Sequence, residues 1–263
     1  MSYNFDKDQN HYFFKNNKSI PLVFIHGVGL NQGMWQPQIS YFKDETILAY
    51  DLLGHGKTKY NKNTVKIEDF RSQLKNLLVN LNIEKINLVG FSIGALIAID
   101  FASEHKKYLN SLTLIATTYK RSDEERQKVV DRVNLAKKNM PISKLAMKRW
   151  FSDKYLENNP SVYKDFMNIL NKSGEDHENF IKAYDLFANY VDDQTKVKKI
   201  DTNTLITTGE NDVGSTPEMS RNLSKMIRGS KFIEIKKGKH LCGIECADDV
   251  NITFKEFIDQ RNA

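Results

Sequence analysis

Six short apolar runs, spaced so that helical patterns fit between most of them, constrain this chain more than any other feature. Leu22-Val23-Phe24-Ile25 is apolar without a break, and the runs at 46–50, 86–89, 112–115, 204–207 and Lys231–Ile235 are short and rich in apolar or β-branched residues. A strand apolar on both faces has to be covered on both. Ile67, Phe70, Leu74, Leu77, Leu78 and Leu81 recur at helical spacing and form one stripe, while residues 92–102 are apolar nearly all round, as in a buried helix. Met219, Leu223, Met226 and Ile227 follow Pro217, a residue suited to a first helical turn, and Val250, Phe254, Phe257 and Ile258 mark a last helix. The alternation predicts an α/β fold, a mostly parallel central sheet with helices on both faces. Tyr12-Phe13-Phe14 suggests an antiparallel edge strand at the start.

The alternation stops between about 119 and 200. Val129, Val133, Ala136 and Met140 predict a helix ended by Pro141, and Ile142, Leu145, Met147 and Trp150 a shorter one. Val162, Phe166, Ile169 and Leu170 predict a third helix that stops near Gly174, and Phe180, Tyr184, Phe187 and Val191 a fourth. A block of helices between two sheet strands predicts an insertion over one end of the sheet. The expected division is an α/β core, 1–119 with 201–263, and a helical cap, 120–200.

Composition narrows the function classes. The net charge of +6 could suit an acidic partner, but no dense basic tract interleaved with aromatics occurs, so nucleic acid is not expected as a partner. No run approaches the ~18 apolar residues that span a membrane, and residues 1–17 carry no apolar leader core. The two cysteines, Cys242 and Cys246, lack the second pair that a zinc site uses. The expectations are a cytoplasmic protein without a membrane partner, with incidental thiols and no metal.

Gly90-Phe91-Ser92-Ile93-Gly94 joins a strand run to the apolar helix. G-x-S-x-G in that context holds the serine hydroxyl out on a strained turn, with glycines where side chains would collide. The Ile93 amide would head the helix, free to meet negative charge. His26-Gly27-Val28-Gly29 follows the first buried run and offers the Val28 amide as a second oxyanion donor. A serine hydroxyl needs a base. Of six histidines, His240 follows the last strand run, in Lys237-Gly238-Lys239-His240, which places it at the sheet edge that carries Ser92. His26 reads as a structural hydrogen-bonding residue and His55 as a shaper of the loop Asp51-Leu52-Leu53-Gly54-His55-Gly56; His11, His105 and His177 read as surface residues. The acid comes from Gly209-Glu210-Asn211-Asp212, with Asp212 preferred and Glu210, nearer the strand, as its rival. The order Ser92, Asp212, His240 is the one expected of this architecture. Asp51 precedes the nucleophile and reads as a brace for loops.

These residues resemble the α/β-hydrolase superfamily along essentially the whole chain, and within it the 3-oxoadipate enol-lactonase and carboxylesterase branch. The matches include residues 26–29, 51–56, 90–94, the 209–212 turn with Thr216-Pro217, and Gly238-Lys239-His240 with Glu245. Gly29-Leu30-Asn31-Gln32-Gly33-Met34-Trp35 and Lys148-Arg149-Trp150-Phe151 are similar to that branch. Ala95 departs from it, standing where many relatives have glycine, and Ser92 stands where epoxide hydrolases and dehalogenases have aspartate. The resemblance implies a triad enzyme with a helical cap that cleaves a small carboxylic ester or enol-lactone without a cofactor. Arg149, pairing with a substrate carboxylate, and Trp150 are the expected cap contacts. Two alternatives keep the same fold: a C–C bond hydrolase with the same triad, and a ligand receptor without turnover.

Overall fold

The computed structural model describes residues 2–259. Its elements are β1 (Ser2–Phe5), β2 (His11–Lys15), β3 (Leu22–Ile25), α1 (Gln36–Tyr41), β4 (Ile47–Tyr50), α2 (Ile67–Asn80), β5 (Ile86–Phe91), α3 (Ile93–Glu104) and β6 (Leu109–Ile115). A run of helices follows: α4 (Asp123–Lys137), α5 (Ser143–Trp150), α6 (Asp153–Asn158), α7 (Pro160–Leu170), α8 (Gly174–Asn189) and α9 (Gln194–Lys198). The chain then completes β7 (Thr204–Gly209), α10 (Pro217–Ser224), β8 (Lys231–Ile235), α11 (Cys242–Glu245) and α12 (Ala247–Asp259).

The eight strands form one sheet in the order β1-β2-β4-β3-β5-β6-β7-β8. From β4 to β8 every pairing is parallel, whereas β2 pairs antiparallel with both β1 and β4. Each all-apolar run expected to be covered on both faces is so covered: every residue of β3, β4, β5 and β7 is buried. The two faces have separate cores. One collects α2, α3 and α8 around Phe70, Leu74, Leu96 and Phe101, and the other packs Phe24, Trp35, Phe42 and Phe254 against α12 and the single turn Gln32–Trp35 before α1. The first ten residues of α3 are all buried, Asp100 among them. That carboxylate is tolerable because Arg71, at 2.7 Å, and Lys196 both pair with it.

Local signals explain several boundaries. Ser122 opens α4 with a reciprocal capping box: its hydroxyl accepts the Glu125 N–H, and the Glu125 carboxylate accepts the Ser122 N–H at 2.7 Å. Thr216 caps α10, and Pro217 takes its first position.

Three expectations need correction. The strand at Tyr12 is not the sheet edge, because β1, whose sequence has no apolar run, pairs outside it. The helix of Val129, Val133 and Ala136 ends at Lys137, well before Pro141; Asn139 turns with φ +56° and Met140 is exposed. Gly174 does not stop α7, which ends at Leu170; with φ +53° it opens α8, and Val191 lies beyond the end of α8, exposed. Between β6 and β7 no strand occurs among the described residues.

Candidate active site

The site sits at the carboxyl ends of β3, β5 and β7. Ser92 joins β5 to α3 with φ +56° and ψ −118°, a backbone state that a non-glycine residue occupies at a cost of about 1–3 kcal/mol. Neighbouring packing enforces it. A side chain at Gly90 would stand 2.3 Å from the Gly94 carbonyl oxygen, and one at Gly94 would stand 2.5 Å from that of Ile25. The Ser92 N–H donates to Ile115 O at the end of β6, 2.9 Å away. Ile93 is the first residue of α3, where N–H groups have no intrahelical acceptor. Ala95 is fully buried, so a methyl group fits where the resemblance expects glycine.

His240 and Asp212 come together: Nδ1 lies 2.6 Å from Oδ2, and both side chains are buried. The acid is fixed from its other side. Oδ1 accepts the N–H groups of Gly214 at 2.8 Å and Ser215 at 2.9 Å. Burial by itself would raise the Asp212 carboxyl, but the adjacent imidazole and the two amides outweigh it and hold the group below the usual carboxylate range. A carboxylate only accepts, so the imidazole carries its proton on Nδ1 and leaves Nε2 for a partner. Glu210 points elsewhere: it is exposed, pairs with Lys236 at 3.1 Å and accepts the Lys237 N–H.

The loop that bears His240 is tied to the helical insertion. Leu241 N–H donates to Trp150 O at 3.1 Å, Lys239 Nζ donates to Lys148 O at 2.9 Å, and Glu245 accepts from the Lys239 and Ser152 N–H groups and from the Ser152 hydroxyl. Phe91 and Trp150 flank the imidazole, with ring centroids 5.0 and 6.3 Å away.

One largely apolar cavity is lined by Ser92, His240, Val28, Trp150 and Arg149, together with residues of α4, α7 and α8. Thus five of the seven residues singled out from sequence face one space; Asp212 reaches it through His240, and Ile93, next to Ser92 in the chain, is buried. Sequence reading missed Arg132 and Tyr184, which also line this cavity. The available signal was an arginine on the helix face marked by Val129, Val133 and Ala136, a place where a solvated side chain is not expected.

The remaining histidines divide differently from the expectation. His11 is not a surface residue: it is buried, with Nδ1 2.6 Å from Asp51 Oδ2, and Tyr3 and Phe5 lie against its ring. The unforeseen strand β1 supplies that cover. His105 and His177 are half-buried. Asp51 braces loops by accepting the N–H groups of Gln32 and Lys57. Cys242 and Cys246 are free thiols. His55 Nδ1 sits 3.1 Å from Leu53 O inside its own loop.

His26 is structural in its bonding. Nε2 accepts the Leu52 N–H at 2.9 Å, and Nδ1 lies 2.8 Å from Gly27 O. Burial, opposed by the nearby Asp51 carboxylate, pulls its pKa down to about 4. Between that value and the ordinary one near 6.5 the unfolded chain binds a proton that the folded chain refuses. The stability contribution is therefore complete above about pH 6.5 and is withdrawn as pH falls toward 4, by roughly 3 kcal/mol. Urea unfolding of the wild type and His26→Gln at about pH 7 and pH 4.5 checks this: the acid-induced loss should be smaller in the variant.

Comparison with known proteins decides the family. The sequence pattern of the alpha/beta hydrolase fold matches residues 20–245. The chain belongs to the α/β-hydrolase family. Among its curated relatives is the (E)-2-((N-methylformamido)methylene)succinate hydrolase of Acinetobacter baylyi, 26% identical over 254 residues and 94% of each chain. Another is the 3-oxoadipate enol-lactonase 1 of Acinetobacter baylyi, 26% identical over 243 residues, 90% of this chain and 88% of that one. An enol-lactonase from Burkholderia xenovorans has the same fold, with a TM-score of 0.87 at 23% identity over 98% of this α/β-hydrolase and 100% of its own chain. An esterase from Thermogutta terrifontis matches with a TM-score of 0.84 at 22% identity, over 95% and 94% of the two chains. The resemblance to enol-lactonases therefore runs along nearly the whole chain. No helix among the described residues is long and apolar enough to cross a membrane.

Proposed function

We propose that this α/β-hydrolase is a serine hydrolase that cleaves a small carboxylic ester or enol-lactone through an acyl-enzyme. The observation that carries the reading is the 2.6 Å contact of His240 with Asp212, beside a cavity that His240 shares with Ser92. Ser92 Oγ attacks the carbonyl carbon as His240 Nε2 takes its proton. The oxyanion that forms is met by the Val28 and Ile93 amides, preorganised donors of which one is typically worth about 3 kcal/mol. The imidazolium, stabilised by Asp212, gives its proton to the leaving oxygen, and the C–O bond breaks. A water molecule then loses a proton to the same nitrogen and attacks the acyl-enzyme, and Ser92 is regenerated as the acid departs. No step calls on a cofactor.

Residues 120–200 act as the cap, with Trp150 against His240 and Arg149 pairing with a carboxylate of the substrate. The names of both curated relatives specify acids, a succinate and a 3-oxoadipate lactone, which agrees with a cationic contact there. One relative's name includes neither ester nor lactone, so the second reading is hydrolysis of another bond, a C–C bond included, by the same triad. Turnover of an enol-lactone, an aryl ester and a ring-cleavage dienoate separates the two.

A fluorophosphonate probe tests the nucleophile. Wild-type protein should be labelled on a single serine, and Ser92→Ala should abolish labelling while Ser215→Ala retains it. A folded wild type that does not react counts against the reading.

A further inference from the structure

Arginines drawn wholly or partly into the interior of this chain have mostly found partners. Arg71 pairs with Asp100, and Arg121 donates to the carbonyls of Phe187 and Tyr190 at the end of α8. Arg132 and Arg149 differ. They project from two helices, α4 and α5, into the cavity that holds Ser92, and neither is ion-paired with an acid among the described residues, where Arg71 and Arg221 are the arginines that are. Arg132 Nε donates to Tyr184 Oη at 3.1 Å, which uses one of its five N–H groups. Arg149 stands over the turn that bears Asp212, its Nη2 3.6 Å from the place a Gly214 side chain would begin. Two guanidinium groups thus face one apolar pocket together. Burial lowers the Arg149 pKa and the neighbouring Arg132 adds to that effect, against smaller opposing contributions from Tyr184 and Asp212. Such a pair is stabilised by an anion placed between the forks. The local acid, Asp212, is occupied by His240 and two amides.

We propose that Arg132 is a specificity-determining residue that joins Arg149 in a two-arginine clamp for a carboxylate on the substrate, away from the carbonyl that Ser92 attacks. The clamp selects acidic esters or lactones, and Tyr184 positions Arg132 by accepting from its Nε. The inference rests on the serine-hydrolase reading for its substrate, and it goes beyond that reading in naming Arg132 and the shared grip.

The test compares p-nitrophenyl butyrate with the p-nitrophenyl half-ester of glutaric acid, similar in length but ending in a carboxylate. The wild type should prefer the half-ester in kcat/KM. Arg132→Gln should reduce the ratio of the two specificity constants by about 10- to 100-fold, the range for losing hydrogen bonds to a charged group. Arg132→Lys should restore part of it, as a point charge without the fork. An equal loss on both esters, or an unchanged ratio, overturns the clamp. A second arm needs no turnover: glutarate binding, followed by calorimetry, should be at least about tenfold tighter than butyrate binding in the wild type, with the difference lost in Arg132→Gln. If the fluorophosphonate probe fails and neither ester is cleaved, the hydrolase reading falls, while the glutarate arm still decides the clamp. Equal binding of glutarate and butyrate by the wild type overturns it.

Discussion

Replacing Ser92 by alanine should lower kcat for the best ester or lactone substrate by about 10⁴- to 10⁶-fold, measured against a wild type assayed at the same pH. The magnitude follows from the proposed chemistry. Without the hydroxyl there is no covalent step, and what remains is the positioning of water by the oxyanion amides, a residual acceleration of about 10³–10⁴ over solution. The fold should survive. Ser92 holds φ +56° because Gly90 and Gly94 let β3, β5 and α3 crowd together at the turn, through contacts with backbone atoms. Ser92→Gly should be equally inactive yet more stable than Ser92→Ala, since glycine relieves the left-handed strain. A variant that keeps more than about a tenth of wild-type kcat would show that the nucleophile lies elsewhere.

Asp212→Asn should cost about 10⁴-fold in kcat, whereas Glu210→Gln should stay within about twofold. An amide at position 212 can donate to Nδ1, which favours the tautomer with the proton on Nε2. The nitrogen facing the serine is then a donor and cannot act as base. Loss of the negative charge also removes the stabilisation of the imidazolium. Glu210 is exposed and bound to Lys236 and to the Lys237 amide, so its charge is screened from the site. A larger loss from Glu210→Gln than from Asp212→Asn would reverse the assignment. Assaying both variants in the cold with excess substrate distinguishes a tautomer effect from a folding defect, because a merely destabilised enzyme recovers there and one with the wrong tautomer does not.

The parallel sheet was legible because its central strands, β3, β4, β5 and β7, are buried on both faces. Continuous runs such as Leu22-Val23-Phe24-Ile25 have few other uses in a folded chain, and each turned out to be a strand of the central sheet. β1 was not legible. It is held by backbone hydrogen bonds to β2 and by rings lying over His11, none of which leaves a hydrophobic period in Ser2–Phe5. Its absence from the reading is also why His11 was expected at the surface. In the helical segment the stripes located the helices but not their ends. Lys137 to Pro141 leave the helix through a left-handed Asn139, and Gly174 starts a helix in the conformation that more often ends one.

What the sequence determined by itself was the set of elements and the order of the chemical groups. G-x-S-x-G between an apolar run and an apolar helix admits few conformations, and acid and histidine after successive strands reach one sheet edge because parallel strands all end on the same side. Tertiary structure alone brought Asp212, and not Glu210 two residues before it, against His240. The turn after β7 points one inward to two amides and an imidazole and the other outward to lysines. It also decided that Arg132, on the apolar face of α4, shares a cavity with Ser92. The physical reason is the same in both cases: the direction of a side chain from a turn or an insertion depends on contacts between segments far apart in the chain, and a local pattern of residue types does not encode those contacts.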